Sequence, residues 1–212
     1  MVEDGLWVTY PLAVCMNARR SKEEPLTEVY ELEIALFGIA PRIWRRFAVP
    51  GRITLAGLHD VIQCVMGWTD SHLHEFIVGE RHYTAYFLNM DWELAEAMID
   101  EETVKLHEVV NRLETRLRYI YDFGDGWQHE LEVKRIGPPD STVRYPTCLA
   151  GERACPPEDC GGVGGYEHLL EVLSDPSHDQ HEELLEWVGG EYDPELFDLR
   201  AINRILRVLQ VS

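Results

Sequence analysis

The chain has 212 residues, 45% hydrophobic and 27% charged, which is enough apolar content for one substantial core and too much for a disordered polymer. A net charge of −19, with a pI near 4.8, opposes binding of a phosphate backbone by the surface as a whole. No apolar run reaches membrane-spanning length, and five cysteines, an odd number, fit a reducing cytoplasm better than a disulfide scaffold.

Met1 to Met16 has acids (Glu3, Asp4) where a signal peptide has bases, and Pro11 interrupts its apolar run. Residues 17–27 are polar and read as a tether, so 1–27 is expected to be an N-terminal extension. Met16 is the expected native start, with 1–15 an upstream addition. Regular alternation begins near Glu28. Val29 to Phe37 and Ile43 to Val49 read as strands, the second stopped by Pro50-Gly51. Thr54 then caps a helix with Leu55, Leu58, Val61, Ile62 and Val65 on one face and Gly67 just past its end. His74 to Val78 reads as a third strand. Residues 89–114 read as short helices around an extended Thr103–Leu106 piece.

Leu117, Tyr119, Tyr121 and Phe123 alternate with polar residues, and so do Trp127, His129, Leu131 and Val133. That is a hairpin over 116–136 with one apolar face, its turn at Gly124-Asp125-Gly126 supplying positive φ. Asp122 and Asp125 suit turn chemistry, and His129 suits a packed, hydrogen-bonded core position. From about 141 a loop rich in Pro, Gly and Cys leads to three helical patterns. They are Gly165–Leu173, His178–Val188, and a last one from about Asp193, with Pro194 in its first turn, through Leu209. These elements make residues 28–212 one α+β domain: a mostly antiparallel sheet carrying one main helix, closed by C-terminal helices, with a β-grasp-like core as the alternative.

Five strings occur in order: Pro41-Arg42-Ile43-Trp44-Arg45-Arg46; Leu58-His59; Gly67-Trp68 with His72-Leu73-His74-Glu75-Phe76; Tyr121 to His129; and Pro156-Pro157-Glu158-Asp159-Cys160-Gly161-Gly162 with Gly165-Tyr166. Together they resemble the plasmid Ri ORF-three-like family, whose members often carry the label of insertion-element passenger proteins of TnpR type. The resemblance spans roughly 28–210 and marks Trp68, Asp122, Asp125, Trp127, Glu158 and Asp159 as motif residues. It implies an α+β, cytoplasmic protein of bacteria or archaea encoded near mobile DNA, and it brings no catalytic residue. Neither a serine nor a tyrosine recombinase is legible here, because no serine or late tyrosine sits among the arginines such chemistry requires.

Four constellations invite chemistry. Cys148, Cys155 and Cys160 with His129 form a Cys3His set for a structural zinc, although their gaps are wider than usual zinc knuckles; buried thiols are the plainer reading. His72 and His74, two apart on an extended segment, point the same way and could share a metal with Asp122 or Glu130, against a reading as simple backbone partners. The glycines at 161–165 precede a helix, but Glu152, Glu158 and Asp159 repel phosphate there and no P-loop Lys follows. Arg42, Arg45 and Arg46 around Trp44 form the densest basic patch, suited either to nucleic acid or to pairing with Glu31 and Glu33. The leading expectation is a mobile-element accessory protein working through protein contacts, with zinc as a structural option. The rivals are a metal-dependent enzyme using His72 and His74, and a DNA-contacting accessory factor.

Overall fold

A computed structural model describes residues 27–85, 98–110, 113 and 115–209. The expectations for 1–26, including the Met16 start, lie outside the described residues, as does much of 89–114. Eight strands form one sheet in the order β5-β4-β3-β6-β7-β1-β2-β8. They are β1 (Val29–Leu36), β2 (Trp44–Pro50), β3 (His74–Val78), β4 (Arg81–Thr84), β5 (Met98–Asp100), β6 (Arg116–Tyr121), β7 (Trp127–Gly137) and β8 (Thr147–Glu152). All neighbours pair antiparallel except β4 with β5. β1 is antiparallel to both β2 and β7, so the sheet lacks the parallel central pair of a β-grasp core.

The main helix is α1 (Leu55–Met66). Thr54 caps it by accepting from Gly57 N at 3.0 Å, and Gly67 ends it with φ 93°, which an L-residue adopts only at a cost. Its face of Leu55, Leu58, Val61, Ile62 and Val65 is buried in one core with Leu32, Ile34, Phe47, Phe76, Leu117, Leu131 and Val133 of the sheet. Among the described residues four further helices follow: α2 (Leu106–Val109), α3 (Gly162–Ser174), α4 (His181–Trp187) and α5 (Leu199–Leu206). Among the described residues no helix is long and apolar enough to cross a membrane.

The hairpin alternates as its residues dictate. Leu117, Tyr119, Tyr121, Trp127, His129, Leu131 and Val133 are buried, while Arg116, Arg118, Gln128 and Glu130 are exposed. The alternation stops two residues earlier than expected, since β6 ends at Tyr121 and Phe123 stands exposed in the turn. Positive φ falls on Asp122 (56°) and Gly126 (68°). The Pro/Gly/Cys loop contains an unexpected edge strand, β8, pinned by Asn203 of α5, whose Oδ1 accepts from Cys148 N at 2.9 Å. The last helix starts at Leu199 rather than near 193, because Asp198 accepts from both Arg200 N and Ala201 N.

Candidate functional site

Three of the five sequence strings meet in one cleft of about 1010 Å³, through His59, through His72 to His74, and through Asp122 to Gly124. Its described walls come from the start of α1, the 70–74 approach to β3, Glu101 and Glu102, and the 122–124 turn. The turn is held by a second loop: Asp125 Oδ2 accepts from Gly161 N at 3.0 Å, and Gly162 lies so close to the Asp125 carbonyl that a Cβ there would strike it. Trp68 ties the same loop from the other side, its indole N–H donating to Pro156 O at 3.0 Å while its ring stacks on Tyr121 at 4.8 Å. Glu158 locks the arrangement. Its Oε1 accepts from Thr69 N at 2.7 Å and from the Tyr121 hydroxyl at 3.1 Å. The loop therefore delivers Glu158 and Asp159 to the residues that precede β3.

There His72 Nε2 faces carboxylate oxygens of Asp159 at 3.2 Å, Glu158 at 3.4 Å and Asp122 at 3.7 Å. The nitrogen is buried, yet it makes no hydrogen bond to any of them. These spacings exceed a good N–H···O⁻ bond, and those to Asp159 and Glu158 match the edges of a coordination shell, in which two ligands each about 2.1 Å from an ion and about 90–110° apart are about 3.0–3.4 Å from one another; the Asp122 spacing is wider. Among the described residues no Lys or Arg nitrogen lies within 4.0 Å of these three carboxylates. Asp122 divides its work: Oδ1 accepts from Gly124 N at 2.9 Å, the expected Asx turn, while Oδ2 turns to His72. Asp70, Asp122 and Asp159 all sit at positive φ, near 55–58°. Aspartate tolerates that conformation better than most residues, and all three border the cleft or its ligand group.

Beside this open group lies a closed one. Gln63 Nε2 donates to the Tyr119 hydroxyl (3.0 Å), which contacts His59 Nδ1 (2.7 Å). His59 Nε2 contacts Asp70 Oδ1 (2.8 Å), and Asp70 N donates back to Gln63 Oε1 (2.9 Å). The ring assigns His59 as the tautomer with its hydrogen on Nε2, since Gln63 must donate to Tyr119 and Tyr119 then to Nδ1. Burial and the neighbouring His74 hold the His59 pKa below its usual value, which agrees with a neutral imidazole. His74 Nε2 meets both oxygens of buried Glu101, at 3.0 and 2.9 Å. His59, Asp70 and His74 also have the proximity of metal ligands, but both His59 nitrogens are already engaged.

His72 and His74 thus line one cleft but belong to different groups. Glu130 points away on the outer face of the hairpin. The cysteine set is not brought together: the groups with ligand atoms within 4.8 Å among the described residues contain no cysteine. Cys148 Sγ lies against the carbonyls of Arg46 and Ala150, and His129 Nδ1 donates to Tyr119 O at 3.2 Å. Burial raises the thiol pKa to about 11 at Cys148 and about 12 at Cys160, and pushes up Cys155 as well.

Each arginine of the patch has partners within this chain, although Arg42 stays exposed. Arg42 and Arg46 both grip Glu33, at 3.0 and 2.6 Å, with half-buried Trp44 between them, while Glu31 pairs with Arg135 instead. Arg45 is buried and donates to the carbonyls of Val65, Trp44, Glu152 and Arg153. Asp70 and Glu101 were not singled out in the sequence, and His59 entered only through the Leu58-His59 string. His59 was detectable as a histidine next to Leu58 on the apolar face of a helix, three residues before Ile62.

Residues 28–201 match the family model described as plasmid pRiA4b ORF-3-like protein. The uncharacterised protein y4hQ of Sinorhizobium fredii is 38% identical over 181 residues, 84% of this chain and 91% of that protein. The crystal structure of a protein of unknown function, MM3350 from Methanosarcina mazei Go1, is similar with a TM-score of 0.75 and 38% identity, over 83% of this chain and 98% of that one. On these matches the chain belongs to the plasmid pRiA4b ORF-3-like family.

Proposed function

We propose that the protein is a divalent-metal-dependent accessory protein of mobile elements, with a hydrolytic type of metal site in the cleft. The observation that carries this reading is His72 Nε2, buried, without a hydrogen bond and ringed by three carboxylates that lack a described basic partner. Such a concentration of negative charge is costly unless a cation neutralises it. His72, Asp122 and Asp159 are the ligands; Glu158, tied to Thr69 and Tyr121, completes or orients the set. One nitrogen with several carboxylate oxygens suits zinc, manganese or iron(II) better than calcium. An ion there would act as a Lewis acid and lower the pKa of a bound water. His59, held by Tyr119 and Asp70, and His74, held by Glu101, stand on the same wall as fixed hydrogen-bonding groups.

Exposed Leu73 and Phe123 border the same cleft and fit a ligand with an apolar side. They are also what the protein-contact reading retains. The plasmid name of the family supports the mobile-element setting, and the TnpR-type passenger role belongs to this proposal. Elemental analysis of untagged protein purified without chelator tests the reading. One transition metal per chain, lost in His72→Ala and kept in Cys148→Ser, is expected. A metal that instead follows the cysteine substitution contradicts it.

A further inference from the structure

A second concave surface lies on the far edge of the sheet, between the 142–147 segment and α5. It is a groove of about 640 Å³ lined by Arg144, Arg200, Arg204 and Arg207, with Val143 and Leu199 as apolar wall. All four arginines are exposed. The chain holds 38 acids against 19 Lys and Arg, so a surface arginine has two carboxylates to choose from for each base. Among the described residues, none of these four has a carboxylate oxygen within 4.0 Å, whereas Arg42, Arg46, Arg116, Arg135 and Arg153 each do.

The nearby acids spend their hydrogen bonds on backbone and hydroxyl donors, although Asp198 stays close enough to Arg200 and Arg204 to feel their charge. Asp198 caps α5 through Arg200 N and Ala201 N, and Asp140 accepts from Thr142 N and Oγ1. Asn203 and Thr147 are bonded to each other and to the β8 backbone. The donors left facing the groove are guanidinium groups, whose planar forks match phosphate oxygens in pairs. Gathering like charges on one wall is unfavourable unless an anion joins them.

We infer that this groove binds a compact, multiply charged oxyanion of the phosphate-ester class, at a site separate from the metal cleft. Two observations favour a compact ligand over a nucleic-acid backbone. The surface is a pocket of small-molecule size, and the net charge of −19 repels a long polyanion beyond the groove's own reach. The basic residues that the sequence offered for nucleic acid already have partners in this chain, Arg42 and Arg46 on Glu33 and Arg45 on backbone carbonyls, whereas the groove gathers four arginines with no described carboxylate oxygen within 4.0 Å.

The test is isothermal titration of the full chain, in metal-free buffer at low salt, with inorganic pyrophosphate and with a nucleoside diphosphate. Saturable binding of either is expected, weakened at least tenfold by Arg204→Gln and by Arg200→Gln, weakened by added salt, and unchanged by His72→Ala. These arginines are exposed, so the variants should keep the wild-type melting temperature. Equal affinity for the two probes assigns recognition to the diphosphate; tighter binding of the nucleoside form assigns a contribution to Val143 and Leu199. No saturable heat with either probe overturns the proposal, as does binding that the arginine variants leave intact. A duplex shifted in a gel and lost in Arg204→Gln, with no response to either diphosphate, replaces it with nucleic-acid contact.

Discussion

The imidazole of His59 lies flat against that of His74, their centroids 3.4 Å apart and their planes within 5°. Each ring has its own carboxylate on its outer edge, Asp70 for His59 and Glu101 for His74. Two stacked imidazolium ions would repel, so the pair stands because His59 stays neutral inside its hydrogen-bonded ring. Glu101 is nearly fully buried, at 2% exposure, and His74 is its side-chain partner. Removing one partner of a buried pair leaves the other uncompensated. Glu101→Ala is therefore expected to cost on the order of 3 kcal/mol, whereas Asp70→Asn, whose carboxylate is half-exposed, should cost about 1 kcal/mol or less. Urea denaturation of the two variants checks the order, and equal losses would argue against it.

Arg45 and Arg42 sit in one sequence string and have opposite energetic roles. Arg45 is 3% exposed and bridges β2, α1 and the end of β8 through four carbonyl oxygens at 2.6–2.9 Å. Lysine cannot span that fork, so Arg45→Lys strands carbonyls and should lower stability by about 2–4 kcal/mol. Arg42→Ala removes an exposed arm of a pair that Arg46 still holds, and should cost less than about 1 kcal/mol. Thermal melts of both variants read the difference directly.

Burial pushes the pKa of His129 down to about 4 from an ordinary 6.5. Its Nδ1–H already serves Tyr119 O, and a proton on Nε2 would find no acceptor. The folded state therefore binds fewer protons than the unfolded state between those two values. Stability from this group is complete above pH 6.5 and is lost as pH falls toward 4, by about 3 kcal/mol in all. The expected result is a pH–stability slope over that window that is shallower in His129→Gln than in wild type. Parallel slopes would rule out this origin.

Two adjacent glycines in α3 should respond oppositely to alanine. A Cβ at Gly164 meets nothing within 4 Å, so Gly164→Ala gains helix propensity, about 0.5–1 kcal/mol. A Cβ at Gly165 would run into the Cys160 carbonyl. Gly165→Ala must therefore displace the loop that carries Glu158 and Asp159, lowering both stability and metal affinity. Melting temperature and metal titration on the pair separate propensity from loop displacement.

The regular core was legible because period two and period 3.6 switch cleanly along the chain. Leu32 and Ile34 mark β1, the Thr54-to-Gly67 caps bound α1, and Trp127 to Val133 mark β7. β8 escaped because Cys148, Leu149 and Ala150 sit between prolines and glycines; the ladder to β2 and the Asn203 side chain make it a strand, and both come from distant sequence. The candidate site was half legible. His72 stood out by its spacing to His74, but the carboxylates that face His72 arrive from the hairpin turn and from the 158–159 loop. Asp122 was read first as turn chemistry and second as a carboxylate beside the histidines; one of its oxygens does the turn work and the other faces His72. The cysteines invited a zinc expectation because thiols look alike in sequence whether they ligate or pack, and in the fold Cys148 Sγ lies against two carbonyls.

The most direct measurement is anomalous scattering from crystals grown or soaked with Mn²⁺ or Zn²⁺, for the wild type and for Asp122→Asn. The account predicts one strong peak about 2.0–2.3 Å from His72 Nε2 and from the carboxylates of Asp122 and Asp159, much reduced in the variant. A peak among Cys148, Cys155 and Cys160 instead, or no peak beside His72 at saturating metal, would contradict it.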